Sequence, residues 1–140
     1  MVIDVRKLNA QKKYVGHLEF EHEAPETLLD IPLVRFRSAV KVEFDYEIYA
    51  DDSVDVRGTV SYILDGQCSR CLKEASQAIT GELEAYFQPH KDAEDYSYFG
   101  GVIDLTQAVH EAIMASLPYL LTCEEDCEAL TYTDNTNEEN

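Results

Sequence analysis

The amino-acid sequence predicts an α+β fold: a mostly antiparallel meander sheet or partial barrel with one main C-terminal helix packed on it. Three observations carry this expectation. Between Ala39 and Gln88, apolar residues alternate with polar ones in three successive runs, the period-2 signature of half-buried strands. Turn-forming residues separate the runs closely, as hairpin connections require. One stretch only, from Asp104 to Leu117, places its apolar residues at helical spacing.

Taken in order, Val15 to Glu21 reads as a strand and Pro25 to Leu29 as a short helical turn. Val40, Val42, Phe44, Tyr46 and Ile48 then alternate with Lys41, Glu43, Asp45 and Glu47, giving a strand with one apolar face. Asp51-Asp52-Ser53 turns the chain into a second run through Val54, Val56, Thr59, Val60, Tyr62 and Leu64. Gly58 within it marks a bulge or a close backbone approach. Asp65-Gly66 is expected to end that run, and Ile79, Leu83, Ala85 and Phe87 form the third. Lys91 to Gly101, rich in acids and tyrosines, reads as a loop. Asp104 with Gln107 three residues on resembles a capping box with Asp in place of Ser or Thr. Leu105, Ala108, Val109, Ala112, Ile113, Ser116 and Leu117 form the stripe that packs on the sheet, and Pro118 stops the helix.

The 140 residues fit one domain over 1–130 with a core of its own, followed by an acidic, disordered tail at 131–140. No apolar run approaches the roughly 18 residues of a membrane span. Met1 to Lys7 lacks the apolar stretch of an export signal, so the expectation is a soluble, cytoplasmic protein.

The net charge is -17. It is also uneven: the last basic residue is Lys91, and the 12 acidic residues from Asp92 onward meet no Lys or Arg. Such a field repels phosphate backbones, which disfavours direct nucleic-acid binding and favours a basic protein partner.

Four cysteines fall into two close pairs, Cys68-Ser69-Arg70-Cys71 and Cys123-Glu124-Glu125-Asp126-Cys127. Zinc takes four sulfur or nitrogen ligands, and a pair two or three residues apart lets one tight turn aim both thiolates at one centre. Cys68, Cys71, Cys123 and Cys127 are therefore the candidate metal ligands. Cytosolic thiols stay reduced, which favours metal over disulfide. Inert core packing of the four thiols is the plain alternative. His17 and His22, five apart on a strand, point to opposite faces, so they are not expected to ligate together; His90 and His110 are expected to stand alone.

Cys68-Ser69-Arg70-Cys71-Leu72 after a meander, Ile103-Asp104-Leu105 opening a helix through Glu111 to Leu117-Pro118, and then Cys123 to Cys127 together resemble the bacterial YceD family. Its plastid members are linked to accumulation of large-subunit ribosomal RNA. The resemblance spans roughly residues 1–130. Family members commonly carry Leu-Pro-x-x-Pro-x-Cys followed by Cys-x-x-x-Cys-x-Gly-Leu-Cys. Here Leu121 replaces the second proline, Ala129 the glycine and Thr131 the next cysteine, so a knuckle confined to the tail lacks its ligands, and the shared four-cysteine site is what remains. The resemblance implies zinc as cofactor and a non-enzymatic ribosome-biogenesis factor, with a ribosomal precursor or a basic ribosomal protein as partner. The basic residues Arg35, Arg37, Lys41, Arg57, Arg70 and Lys73 leave room for a local RNA contact.

Two other classes are weaker. A dithiol redox protein would use Cys68 and Cys71, but such motifs sit at a helix N-terminus, and here strand-like sequence lies on both sides. A hydrolase would need more than Asp92, Glu94 and Asp95, since no Gly-rich phosphate loop, His-Glu-x-x-His or Gly-x-Ser-x-Gly is present.

Overall fold

A computed structural model describes residues 1–29, 31, 33–118 and 121. Strand β1 (Val2–Asp4) leads into the short helix α1 (Val5–Ala10), whose first turn is capped by the Asp4 carboxylate accepting from the Lys7 N–H at 3.1 Å. Strand β2 (Val15–His22), a 3-10 turn (Glu26–Leu28) and strand β3 (Arg35–Phe36) follow. Three long strands, β4 (Val40–Ile48), β5 (Val54–Gln67) and β6 (Glu74–Gln88), form the meander. Strands β7 (Tyr96–Ser97) and β8 (Val102–Asp104) precede helix α2 (Thr106–Ser116).

The main sheet runs β2-β4-β5-β6-β7, with β3 pairing β5 beyond the end of β4. Its pairings are antiparallel except β6 with β7. Among the described residues the sheet is open, so the α+β meander is the form adopted and no barrel closes. β1 and β8 make a separate two-stranded sheet that joins the two ends of the fold.

Strict alternation in β4 sends Val40, Val42, Phe44, Tyr46 and Ile48 inward and the intervening charges outward. α2 covers the inner face across β6, burying Ala108, Val109, Ala112 and Ile113. Removing such an aliphatic side chain from water contributes about 1.5–3 kcal/mol for a Val or Ile. The helix sits close because β6 carries glycine beneath it: a Cβ on Gly81 would lie 2.6 Å from the Ser116 Cβ. Tyr62 then reaches the end of the helix, its hydroxyl 2.7 Å from Ser116 Oγ, which itself donates to the Ile113 carbonyl at 2.8 Å.

Several local expectations change. Asp65-Gly66 does not end β5, which stays paired with β6 from Val54↔Phe87 through Gln67↔Glu74. The Asp65 carboxylate is satisfied within the sheet by Arg37 Nε at 3.0 Å, Arg37 Nη2 at 2.8 Å and Ser76 Oγ at 2.5 Å. Gly66 answers a close approach, since a Cβ there would stand 2.7 Å from the Leu33 carbonyl oxygen. Gly58 is also a close approach and not a bulge: the register runs unbroken through it. The capping box does not form. Leu105 is the N-cap, the Asp104 carboxylate accepts from the Thr106 N–H at 2.9 Å, and Gln107 reaches Glu111 instead. α2 stops at Ser116, with Leu117 extended before Pro118, as the residue preceding proline prefers. β1, α1 and β8 carry too short a pattern to have been read from sequence. The domain end at 130 and the tail at 131–140 lie outside the described residues. No helix among the described residues is long and apolar enough to cross a membrane.

Candidate metal centre

The turn joining β5 to β6 carries Cys68 and Cys71, and both are buried, at 0% and 7% exposure. Backbone geometry builds the turn. The Leu72 N–H donates to the Cys68 carbonyl at 2.8 Å, and the Cys68 N–H to the Lys73 carbonyl at 2.8 Å. Leu72 takes the left-handed conformation at φ 63 that this reversal demands. The Arg70 N–H points at Cys68 Sγ across 3.4 Å. Two thiols on one tight turn, one of them receiving a backbone N–H, fit half of a tetrahedral thiolate site.

The far end of the described chain comes to the same turn. The Ser69 N–H donates to the Leu121 carbonyl at 2.8 Å, and Leu121 is 1% exposed. Its side chain lies over Gly66, where an added Cβ would meet Leu121 Cδ2 at 3.0 Å. Cys123 and Cys127 lie outside the described residues. The first pair stands at the tip of an antiparallel hairpin and at no helix N-terminus, so the dipole that activates a redox dithiol has no counterpart there.

Beside the turn is a cleft of 480 Å³ whose charged lining is Arg35, Arg37, Asp65 and Glu74. Its two cations face two anions, and the Arg37–Asp65 pair is bidentate, so the cleft offers no net positive charge for a phosphate chain. Asp95, from the acidic loop, accepts from the Tyr86 backbone N–H at 3.0 Å.

The outer face of the sheet is strongly acidic. Across β2, β4 and β5, Glu19 stands directly opposite Glu43, and Glu47 opposite Asp55. Such like-charge pairs are destabilising. Part of this charge is compensated: Arg57 Nε lies 3.4 Å from the Asp55 carboxylate, His17 pairs with Asp45, and Lys41 stands opposite Glu21.

The histidines divide into an exposed one, His17, and a pair that was not expected. His17 Nδ1 lies 2.8 Å from Asp45 and its Nε2 3.4 Å from Glu19. The hydrogen bond to Asp45 is the main cause of a raised pKa. Its donor atom, with those of Glu19 and Glu43, falls within a 4.8 Å group, the one group of three or more such donors among the described residues. His22 and His110 meet instead of standing apart, with their Nε2 atoms 2.8 Å from each other. The sequence held one hint: alternation in β2 turns His22 inward while His17 faces out. Nothing in it named His110 as the partner.

The model of a family described as large ribosomal RNA subunit accumulation protein YceD matches residues 56–140, more than half of the chain, including both cysteine pairs. Comparison with curated proteins finds no match, and comparison with solved structures finds none.

Proposed function

The chain belongs to the YceD family, and from that premise we propose a non-enzymatic factor that supports large-subunit ribosomal RNA accumulation from the cytoplasm through contacts with a basic ribosomal protein or a ribosomal precursor. The role in large-subunit rRNA accumulation follows from the family. The mode of action rests chiefly on one observation, the acidic outer face with its opposed Glu19–Glu43 and Glu47–Asp55 pairs. A surface that keeps like charges in register lowers its own stability and gains attraction for a cationic partner.

Cys68, Cys71, Cys123 and Cys127 would hold a zinc ion. Supporting this are the buried first pair, the backbone donor on Cys68 Sγ and the Ser69–Leu121 hydrogen bond. Leu121 precedes Cys123 by two residues, a span of at most about 7 Å of chain. A site of four thiolates leaves no open coordination position, so the metal's role would be to clip the hairpin to the segment after α2.

Depletion of the protein followed by profiling of ribosomal particles tests the function. A fall in large subunits with small subunits preserved is the expected result, and an unchanged profile removes the proposal.

A further inference from the structure

Two imidazoles from distant parts of the chain converge beside the core. His22 is the last residue of β2 on its inward face, and His110 lies in α2; both are half-buried. Their Nε2 atoms are 2.8 Å apart, with ring centroids at 5.0 Å and planes inclined by 35°. A neutral pair in this arrangement shares one hydrogen: one Nε2 donates it and the other accepts with its lone pair. His110 also borders a groove of 760 Å³ along α2, with Asp104, Gln107 and Glu111 among its lining, which gives water a path to the pair.

We propose that His22 and His110 are a two-imidazole site for a divalent transition-metal ion of the zinc, nickel or copper class, which clamps the edge strand β2 to helix α2. Imidazole nitrogen suits these ions, whereas calcium and magnesium require oxygen. Metal–nitrogen bonds of about 2.0–2.1 Å put two neighbouring ligands about 3 Å apart at a right angle and slightly farther at a tetrahedral one. The observed separation of 2.8 Å is therefore within a few tenths of an ångström of a ligand pair. Water from the groove fills the remaining positions. The proton inventory balances: the imidazole that donated through Nε2 shifts its hydrogen to Nδ1, both Nε2 lone pairs face the ion, and the neutral pair releases no proton.

Partial burial between two elements separates this site from the exposed group around His17. Burial, and then the neighbouring His110, lower the pKa of His22. At His17, Asp45 and Glu19 favour the protonated ring, so a metal there must first displace a proton, and its carboxylates lie on solvent-exposed side chains. The His22–His110 pair is held by two packed elements, and a bridging ion resists their separation.

Zinc chloride titrated into the full-length protein, followed by imidazole nitrogen NMR and thermal melting, tests the proposal. The expected result is a zinc-dependent shift of the Nε2 signals of His22 and His110 together with a higher Tm. His22→Gln and His110→Gln, which keep a hydrogen-bonding amide, should each weaken this binding event at least tenfold, while His17→Gln and Cys71→Ser retain it. Unmoved His22 and His110 signals in the unmodified protein overturn the proposal, as does loss of the event in His17→Gln or Cys71→Ser alone. The NMR readout needs no variant, so a poorly folded glutamine variant does not rescue the idea.

Discussion

Ser69 donates its backbone N–H to the carbonyl of Leu121 at 2.8 Å, so the tip of the central hairpin holds the segment that follows α2. The bond uses only the main chain of Ser69. The side chain of that residue takes no part in it.

Cys71→Ser is expected to lose the zinc equivalent held by the cysteines, measured by elemental analysis of protein purified without chelator, and to lower the Tm. Ser69→Ala should change neither. A strong chelator should lower the Tm of the unmodified protein by more than that of Cys71→Ser. Equal melting of the unmodified protein with and without chelator removes zinc from the account.

Gly58 is pressed against β4. A Cβ at this position would stand 1.9 Å from the Glu43 carbonyl oxygen and 2.5 Å from the Phe44 Cα, both backbone atoms that cannot swing aside. Gly58→Ala should therefore destabilise the fold by about 3 kcal/mol, at the upper end of overpacking costs. Urea unfolding measures it, and a change within experimental error would show that the strands separate easily here.

Acid sensitivity should have an identifiable source. Hydrogen bonds from Arg37, and then from Ser76, hold the Asp65 carboxyl down at about 2, below the unfolded value of about 3.9. A group with a depressed folded pKa stabilises above its unfolded value, and that contribution is lost as pH falls toward the folded one. The unmodified protein should thus lose stability between about pH 4 and pH 2 more steeply than Asp65→Asn, in denaturant titrations at each pH. Parallel curves for the two proteins would contradict this assignment.

Glu43→Lys should move stability and partner binding in opposite directions. It replaces the opposition of Glu43 to Glu19 with attraction, so the Tm should rise slightly. Binding to a lysine-rich or arginine-rich ribosomal protein should weaken, and the salt dependence of that binding should become shallower. Unaltered affinity at low salt would place the partner elsewhere on the surface.

The meander was legible in the sequence because a half-buried strand must alternate, and Val40 to Ile48 does so without a break. The helix was legible from its stripe, but its start was not: the Asp104 carboxylate satisfies the Thr106 N–H, a choice the local sequence leaves open. Asp65-Gly66 looked like a turn because the partners that keep both residues in a strand, Arg37 and Ser76 on Asp65 and Ala75 opposite Gly66, lie elsewhere in the chain. The same reason hid the histidine pair: β2 and α2 meet only in the finished fold. The strand connection that carries Cys68 and Cys71 was legible from the runs on either side of it, and the structure adds the burial of both thiols.

The pairing of β1 with β8 has a consequence for how the molecule is made. Synthesis delivers β1 first, yet its partner emerges only after the whole meander has left the ribosome. Ile3 and Val5, both buried in the finished protein, must wait uncovered through most of translation. The local hairpins can form as they appear, whereas β1 docks only once β8 has emerged, and a nascent chain stalled before Val102 would display uncovered apolar side chains for chaperones to grasp.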